Sequence, residues 1–247
     1  MTTAARTATT DPRHAYEVNR ARIAAVWAQA RLIVAGDAAD MFLRRSGALP
    51  PGGKGAAWPN ALRMHPALDY WRPQQGGPGE CIGRFPALLA ALELDTHPHG
   101  LTAPPVPHTV ALQRIYLTPD GALAHVPAPI KLTGKDGPSR CAALRLVPVA
   151  QRGATLGIAV GVVPALRMGH ACRIPVWAVP DAAALAHVRW PRRTACLYVF
   201  VNADDPAQHA PAAQLARKAT ACGLEVFTLM TCAVEAPAEP LPMPRSL

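Results

Sequence analysis

The sequence predicts an α/β protein with a C-terminal parallel sheet and flanking helices, preceded by a helical segment and a mixed α+β region. Three observations predict it. Two N-terminal runs place apolar residues at helical spacing, and the middle third breaks into short apolar runs separated by turn residues. From about residue 154 strand-like and helix-like runs alternate, the pattern of parallel strands joined by crossover helices. The boundaries expected are a helical segment over 1–50, a mixed region over 51–152, the alternating region over 153–233 and a proline-rich tail over 234–247. A chain of 247 residues, half of them hydrophobic, can bury one sizeable core or two small ones.

In "RHAYEVNRARIAAVWAQARLI", Ile23, Val26, Trp27 and Ala30 fall on one helical face while Arg20, Arg22 and Arg31 lie mostly off it. A second helix is expected over "AADMFLRRS", with Asp37 as N-cap and Gly47 as its stop. "LPPGGKGAAWP" then breaks the pattern as a loop.

In the middle region "ALRMH" reads as a strand, and "FPALLAALEL" fits either a strand or an Ala/Leu-rich helix. "THPHGLTAPPVPH" reads as a loop. "TVALQRIYLTPDGALAHV" predicts an antiparallel hairpin, its first strand alternating around Val110, Leu112 and Ile115 and its turn at "TPDG".

In the last region "LGIAVGV", "IPVWAV", "ACLYVFV" and "LEVFTLMT" read as strands. "PALRMGHAC", "DAAALAHV" and "PAAQLARKATACG" read as the helices between them. Functional groups of such sheets gather beyond the carboxyl ends of the strands, here Val160-Gly161, Pro180-Asp181 and Asn202 to Asp205.

Net charge is +9 and the isoelectric point about 9.7, which attracts polyanions and above all nucleic acid. Charge alone does not separate that reading from a merely solvated basic surface. No run reaches the roughly 20 apolar residues of a membrane span, and "MTTAARTATT" lacks the apolar core of a signal peptide, so a cytoplasmic location without a membrane partner is expected. Cys81, Cys141, Cys172, Cys196, Cys222 and Cys232 lack C-x-x-C spacing and read as small core residues. His97 and His99 of "THPHG", with His108, lack the further ligands of a zinc site.

The order of "MFLRRSGA", "LRMHPALDYW", "GRFPALLAAL", "RIYLTPDG" and "IKLTGKDGPSRCAALRL", followed by the alternating region, resembles the Toprim family. That family's metal-binding, Rossmann-like domain is shared by bacterial-type primases and topoisomerases. The chain looks most like the primase-like proteins of phages and mobile genetic elements. The resemblance implies a glutamate at the end of the first parallel strand and an Asp-x-Asp pair at the end of a later one. Here Val160 stands at the glutamate, Val163 at a second acidic position, Asn202 at the first aspartate and Asp204 at the second, with Asp205 just beyond. Magnesium wants several oxygen ligands, so these degenerate positions imply a decayed catalytic site and no resident cofactor.

The expected function is therefore binding of single-stranded DNA or RNA, or of a replicative helicase or primase, by a primase-like protein that has lost its chemistry. One alternative is an active, divergent primase or nuclease using Mg²⁺ or Mn²⁺ on Asp204, Asp205 and Asp181. Another is a protein-interaction module without nucleic acid. Asp204 and Asp205 precede Pro206, where capping of the next helix competes with metal binding and is favoured. Arg114, Tyr116 and Lys131 lie in the primase-like segments, where a cation beside an aromatic can contact phosphate and stack on a base; solvated strand cations and a core tyrosine are the bland reading. Arg189, Arg192 and Arg193, around Trp190, form a basic turn that either grips a phosphate backbone or is simply solvated.

Overall fold

The computed structural model describes residues 12–74, 77–96, 106–133, 140–149 and 154–232. "THPHG" with His97 and His99, and the proline-rich tail, lie outside them. The protein is mixed α/β, and its described residues build one ten-stranded sheet with helices on both faces.

Helix α1 (Pro12–Ala28) leads into the short β1 (Arg31–Leu32) and α2 (Ala38–Arg45). The Asp37 carboxylate accepts the Asp40 N–H at 2.9 Å and caps α2, and Gly47 at φ 75° follows its end, as the sequence predicts. Strands β2 (Leu62–Gln74), β3 (Gly77–Thr96) and β4 (Val106–Tyr116) form an antiparallel set. "FPALLAALEL" belongs to β3. Ala87 to Leu92 are buried on both faces of the sheet, and burial of that kind selects a continuous apolar run and overrides the helical preference of Ala and Leu.

The predicted hairpin needs correction. The turn is present, with the Thr118 N–H donating to the Ala122 oxygen at 2.8 Å, but the return pairs only through Leu117 and Leu123. On its edge away from β3, β4 pairs instead with β5 (Ile130–Thr133), reached after Pro127 and Pro129. Prolines lack the N–H that would have extended the ladder earlier.

Beyond β6 (Ala143–Leu144) the chain alternates β7 (Ala154–Val160), α3 (Val162–Cys172), β8 (Val176–Val179), α4 (Ala182–Leu185), β9 (Thr194–Asn202), α5 (His209–Ala221) and β10 (Glu225–Thr231). The strands β8, β7, β9 and β10 lie side by side in that order, all parallel. Two-residue β6 joins the halves, pairing antiparallel with Leu92–Glu93 of β3 and with Ala178 of β8. Arg145 reinforces the joint. Its Nη1 donates to Asp95 at 2.6 Å, and its guanidinium lies 4.7 Å from the Trp177 ring centroid.

Two helical layers cover the sheet. Leu43 of α2 and Leu166 of α3 pack with Leu88, Tyr198 and Phe200 on one face. Leu185 of α4 and Leu215 of α5 pack with Ile158, Trp177 and Val199 on the other. Ile23 of α1 packs against Ala91 and Leu112. Among the described residues no helix is long and apolar enough to cross a membrane.

Candidate functional site

An open crevice of about 930 Å³ lies where the antiparallel strands meet the carboxyl end of β8. Tyr70, Trp71, Arg72 and Pro73 of β2 form one wall, and Pro180, Asp181, Ala184 and His187 the other. Gln113 and Arg114 of β4, with Ile130, Lys131 and Leu132 of β5, also line it, as does Arg140. Gln113 Nε2 donates to the Pro180 oxygen at 3.4 Å, tying β4 to the wall that follows β8.

Arg114 and Lys131 are direct cross-strand partners in the β4–β5 register. Each is held by a tyrosine. The Lys131 ammonium lies 3.5 Å from the centroid of the Tyr70 ring and donates to the Trp71 oxygen. Arg114 Nη1 donates to Tyr116 Oη at 3.3 Å, and that hydroxyl donates to the Asp69 oxygen at 3.0 Å. The two tyrosine rings meet edge to face at 4.9 Å. Burial, aided by the charge of Arg22, pulls the Arg114 guanidinium below its ordinary range, and burial pushes the Tyr116 phenol up.

Charge balance in the crevice is one-sided. Arg72 is paired with Glu80 at 2.6 Å, but neither Arg114 nor Lys131 has an acidic partner among the described residues. Arg114 Nε is buried without any hydrogen-bond partner there. Among the described residues the only acid lining the crevice is Asp181, whose Oδ1 is engaged by the Ala184 N–H at 2.9 Å as the cap of α4.

The residues singled out from the sequence therefore separate. Arg114 and Lys131 come together in the crevice. Tyr116 has no exposed surface, so it orients Arg114 from below and stacks on nothing from solvent. The exposed aromatic is Trp71, 45% accessible, in "LDYWRP" beside Arg72. Sequence reasoning missed Trp71, Arg72, Arg140 and His187, although an aromatic next to a cation at the end of "LRMHPALDYW" was a usable signal. Arg189 and Arg192 are exposed in the turn before β9, away from the crevice lining. Arg193 lines a separate cavity of about 300 Å³ with Glu93, Asp95, Arg145 and Trp177.

The acidic pair lies at the end of β9. Asp205 Oδ1 accepts the Ala207 N–H at 3.2 Å and its Oδ2 accepts from Gln208 Nε2 at 3.0 Å, which makes it the cap of the 3₁₀ turn Pro206–Gln208. Asn202 Oδ1 accepts the Asp204 N–H at 3.2 Å. The cap is thus Asp205, whereas the Asp204 carboxylate is exposed and makes no hydrogen bond among the described residues. Val160 packs against the apolar layer under α4 and α5. These residues do not fit a magnesium site: Val160 offers no oxygen, those of Asn202 and Asp205 are engaged in the turn, and Asp204 alone is left. Among the described residues no three His, Cys, Asp or Glu side chains cluster.

Fold and crevice together define a mixed α/β protein with a basic, aromatic-edged cleft at the seam of its sheet. The chain belongs to the family described as a domain of unknown function, DUF7146, whose model matches residues 17–144, just over half of the chain. The matched span runs from within α1 through β6 and hence carries the Arg114–Lys131 pair. No curated protein and no solved structure matches the chain.

Proposed function

We propose that this is a Toprim-like, primase-like protein of a phage or mobile genetic element, cytoplasmic, with a decayed metal site, that binds single-stranded nucleic acid through the crevice. The observation that carries the binding is the Arg114–Lys131 pair, two adjacent cations without an acidic partner among the described residues, opening on a crevice edged by exposed Trp71. Cations that are not neutralised internally are available to phosphates, and an exposed indole offers a stacking platform for any base. The net charge of +9 supports the same reading by drawing a polyanion toward the whole surface. The resemblance of the segments from "MFLRRSGA" to "IKLTGKDGPSRCAALRL" supports the primase-like part, and the poor fit of Val160, Asn202 and Asp205 to a metal supports the loss of chemistry. A replicative helicase or primase would supply that chemistry in trans.

Fluorescence anisotropy with a labelled single-stranded oligonucleotide tests the reading. Wild type is expected to bind with an affinity that falls steeply with salt, and Lys131→Glu to bind at least tenfold more weakly at low salt. Unchanged binding by Lys131→Glu would remove the crevice from the account.

A further inference from the structure

Building on the nucleic-acid reading above, we propose that the Arg114–Lys131 pair seats a terminal phosphate monoester of a single strand, from which the strand leaves past Trp71. Three observations carry this.

The first is charge. An internal phosphodiester carries one negative charge, whereas a terminal monoester carries about −1.5 to −2 at neutral pH. Two directly opposed cations without an acidic partner among the described residues match a dianion better than a monoanion. The second is donor geometry. Arg114 uses Nη1 on Tyr116, while its Nε is buried and unpartnered, so part of the guanidinium fork lacks an acceptor. Lys131 spends one of its three donors on the Trp71 oxygen. A monoester presents three unshared oxygens to such an array and a diester only two.

The third is size and shape. A volume of about 930 Å³ suits one or two nucleotides better than the long groove that tracks many phosphates. Trp71, 45% exposed on the wall beside the pair, is placed to stack on the base that follows the phosphate.

The test compares one fluorescent oligonucleotide in three forms, unphosphorylated, 5′-phosphorylated and 3′-phosphorylated, with 2′-deoxyadenosine monophosphate as competitor. At least one phosphorylated form is expected to bind about tenfold more tightly than the unphosphorylated strand, the worth of one charge-assisted hydrogen bond. That advantage is expected to vanish in Lys131→Ala, to persist in Lys131→Arg and to be competed away by the mononucleotide. Equal affinity of all three forms for the wild type would overturn the inference while leaving nucleic-acid binding intact. No binding of any form would overturn both. A preference that survives in Lys131→Ala would also overturn it by placing the phosphate elsewhere.

Discussion

Arg114 and Lys131 face each other across the β4–β5 ladder, two like charges where sheets ordinarily place opposite ones. Such a pairing is unfavourable unless something offsets it. Here Tyr70 lies under the lysine at 3.5 Å and Tyr116 holds the arginine through its hydroxyl. The tyrosines are themselves packed edge to face, so the cations are fixed in place by a rigid aromatic base. An anion that bridges the pair would relieve the residual repulsion.

That relief is measurable as stability. Sulfate or inorganic phosphate is expected to raise the melting temperature of the wild type more than that of Lys131→Ala at matched ionic strength, because anions that bind the folded state stabilise it by mass action. Thermal unfolding by circular dichroism checks it; the general salting effect of sulfate appears in both proteins and cancels in the comparison.

Asp40 organises the N-terminal half. Its buried carboxylate accepts from Trp58 Nε1 at 2.8 Å, from Arg44 Nε at 2.8 Å and from the Gly36 N–H at 3.0 Å. Burial works to raise its pKa, but these hydrogen bonds outweigh it and hold the group below its ordinary 3.8. Asp40→Ala strands the buried indole N–H and is expected to cost about 3 kcal/mol in urea unfolding.

Gly121 shows how tightly the "TPDG" turn packs on α2. It sits at φ +79°, and a Cβ there would meet Met41 Cβ at 2.7 Å, the Ala38 oxygen at 2.9 Å and the Phe42 nitrogen at 2.9 Å. Gly121→Ala is therefore expected to cost about 3 kcal/mol. Gly36→Ala, at φ +83° with nothing within 4 Å of the new Cβ, is expected to cost only about 1 kcal/mol. Chemical denaturation of both variants separates the clash from the backbone penalty.

His65 makes stability depend on pH. Burial lowers its pKa from the ordinary 6.5, against the pull of the Asp69 charge, and its Nδ1 accepts the Ala67 N–H at 3.2 Å while Nε2 is buried without a partner among the described residues. The unfolded chain takes up the proton first, so stability is expected to fall as pH drops from 6.5 toward the lower folded value, by at most about 1.4 kcal/mol per pH unit. Burial raises the Glu93 pKa above its ordinary 4.5, so its contribution has the opposite sign and is lost as pH rises through the raised value. Unfolding curves of His65→Gln across this range isolate the histidine.

Local signals carried most of the elements. The Asp37 cap, the Gly47 stop and the strand–helix alternation after residue 154 are periodicities and caps written within a few residues. The strand β5 was not legible, because its pairing with β4 depends on two intervening prolines and on a tyrosine base assembled from β2 and β4. The crevice was half legible for the same reason. Arg114 and Lys131 stood out as cations near an aromatic, but which aromatic is buried and which is exposed is set by the sheet face each strand position takes. Tyr116 falls on the buried layer and Trp71 on the open one. Two adjacent aspartates likewise look equivalent in sequence, and only the turn at Pro206 makes Asp205 the cap and leaves Asp204 outside it.

Photochemical crosslinking of a bromodeoxyuridine-substituted single strand, followed by peptide mapping, tests nucleic-acid binding in the crevice most directly. The predicted result is a crosslink on Trp71 that disappears in Lys131→Glu. Crosslinks confined to other surfaces, such as the Arg189–Arg193 turn, with Trp71 unmodified, would contradict the account.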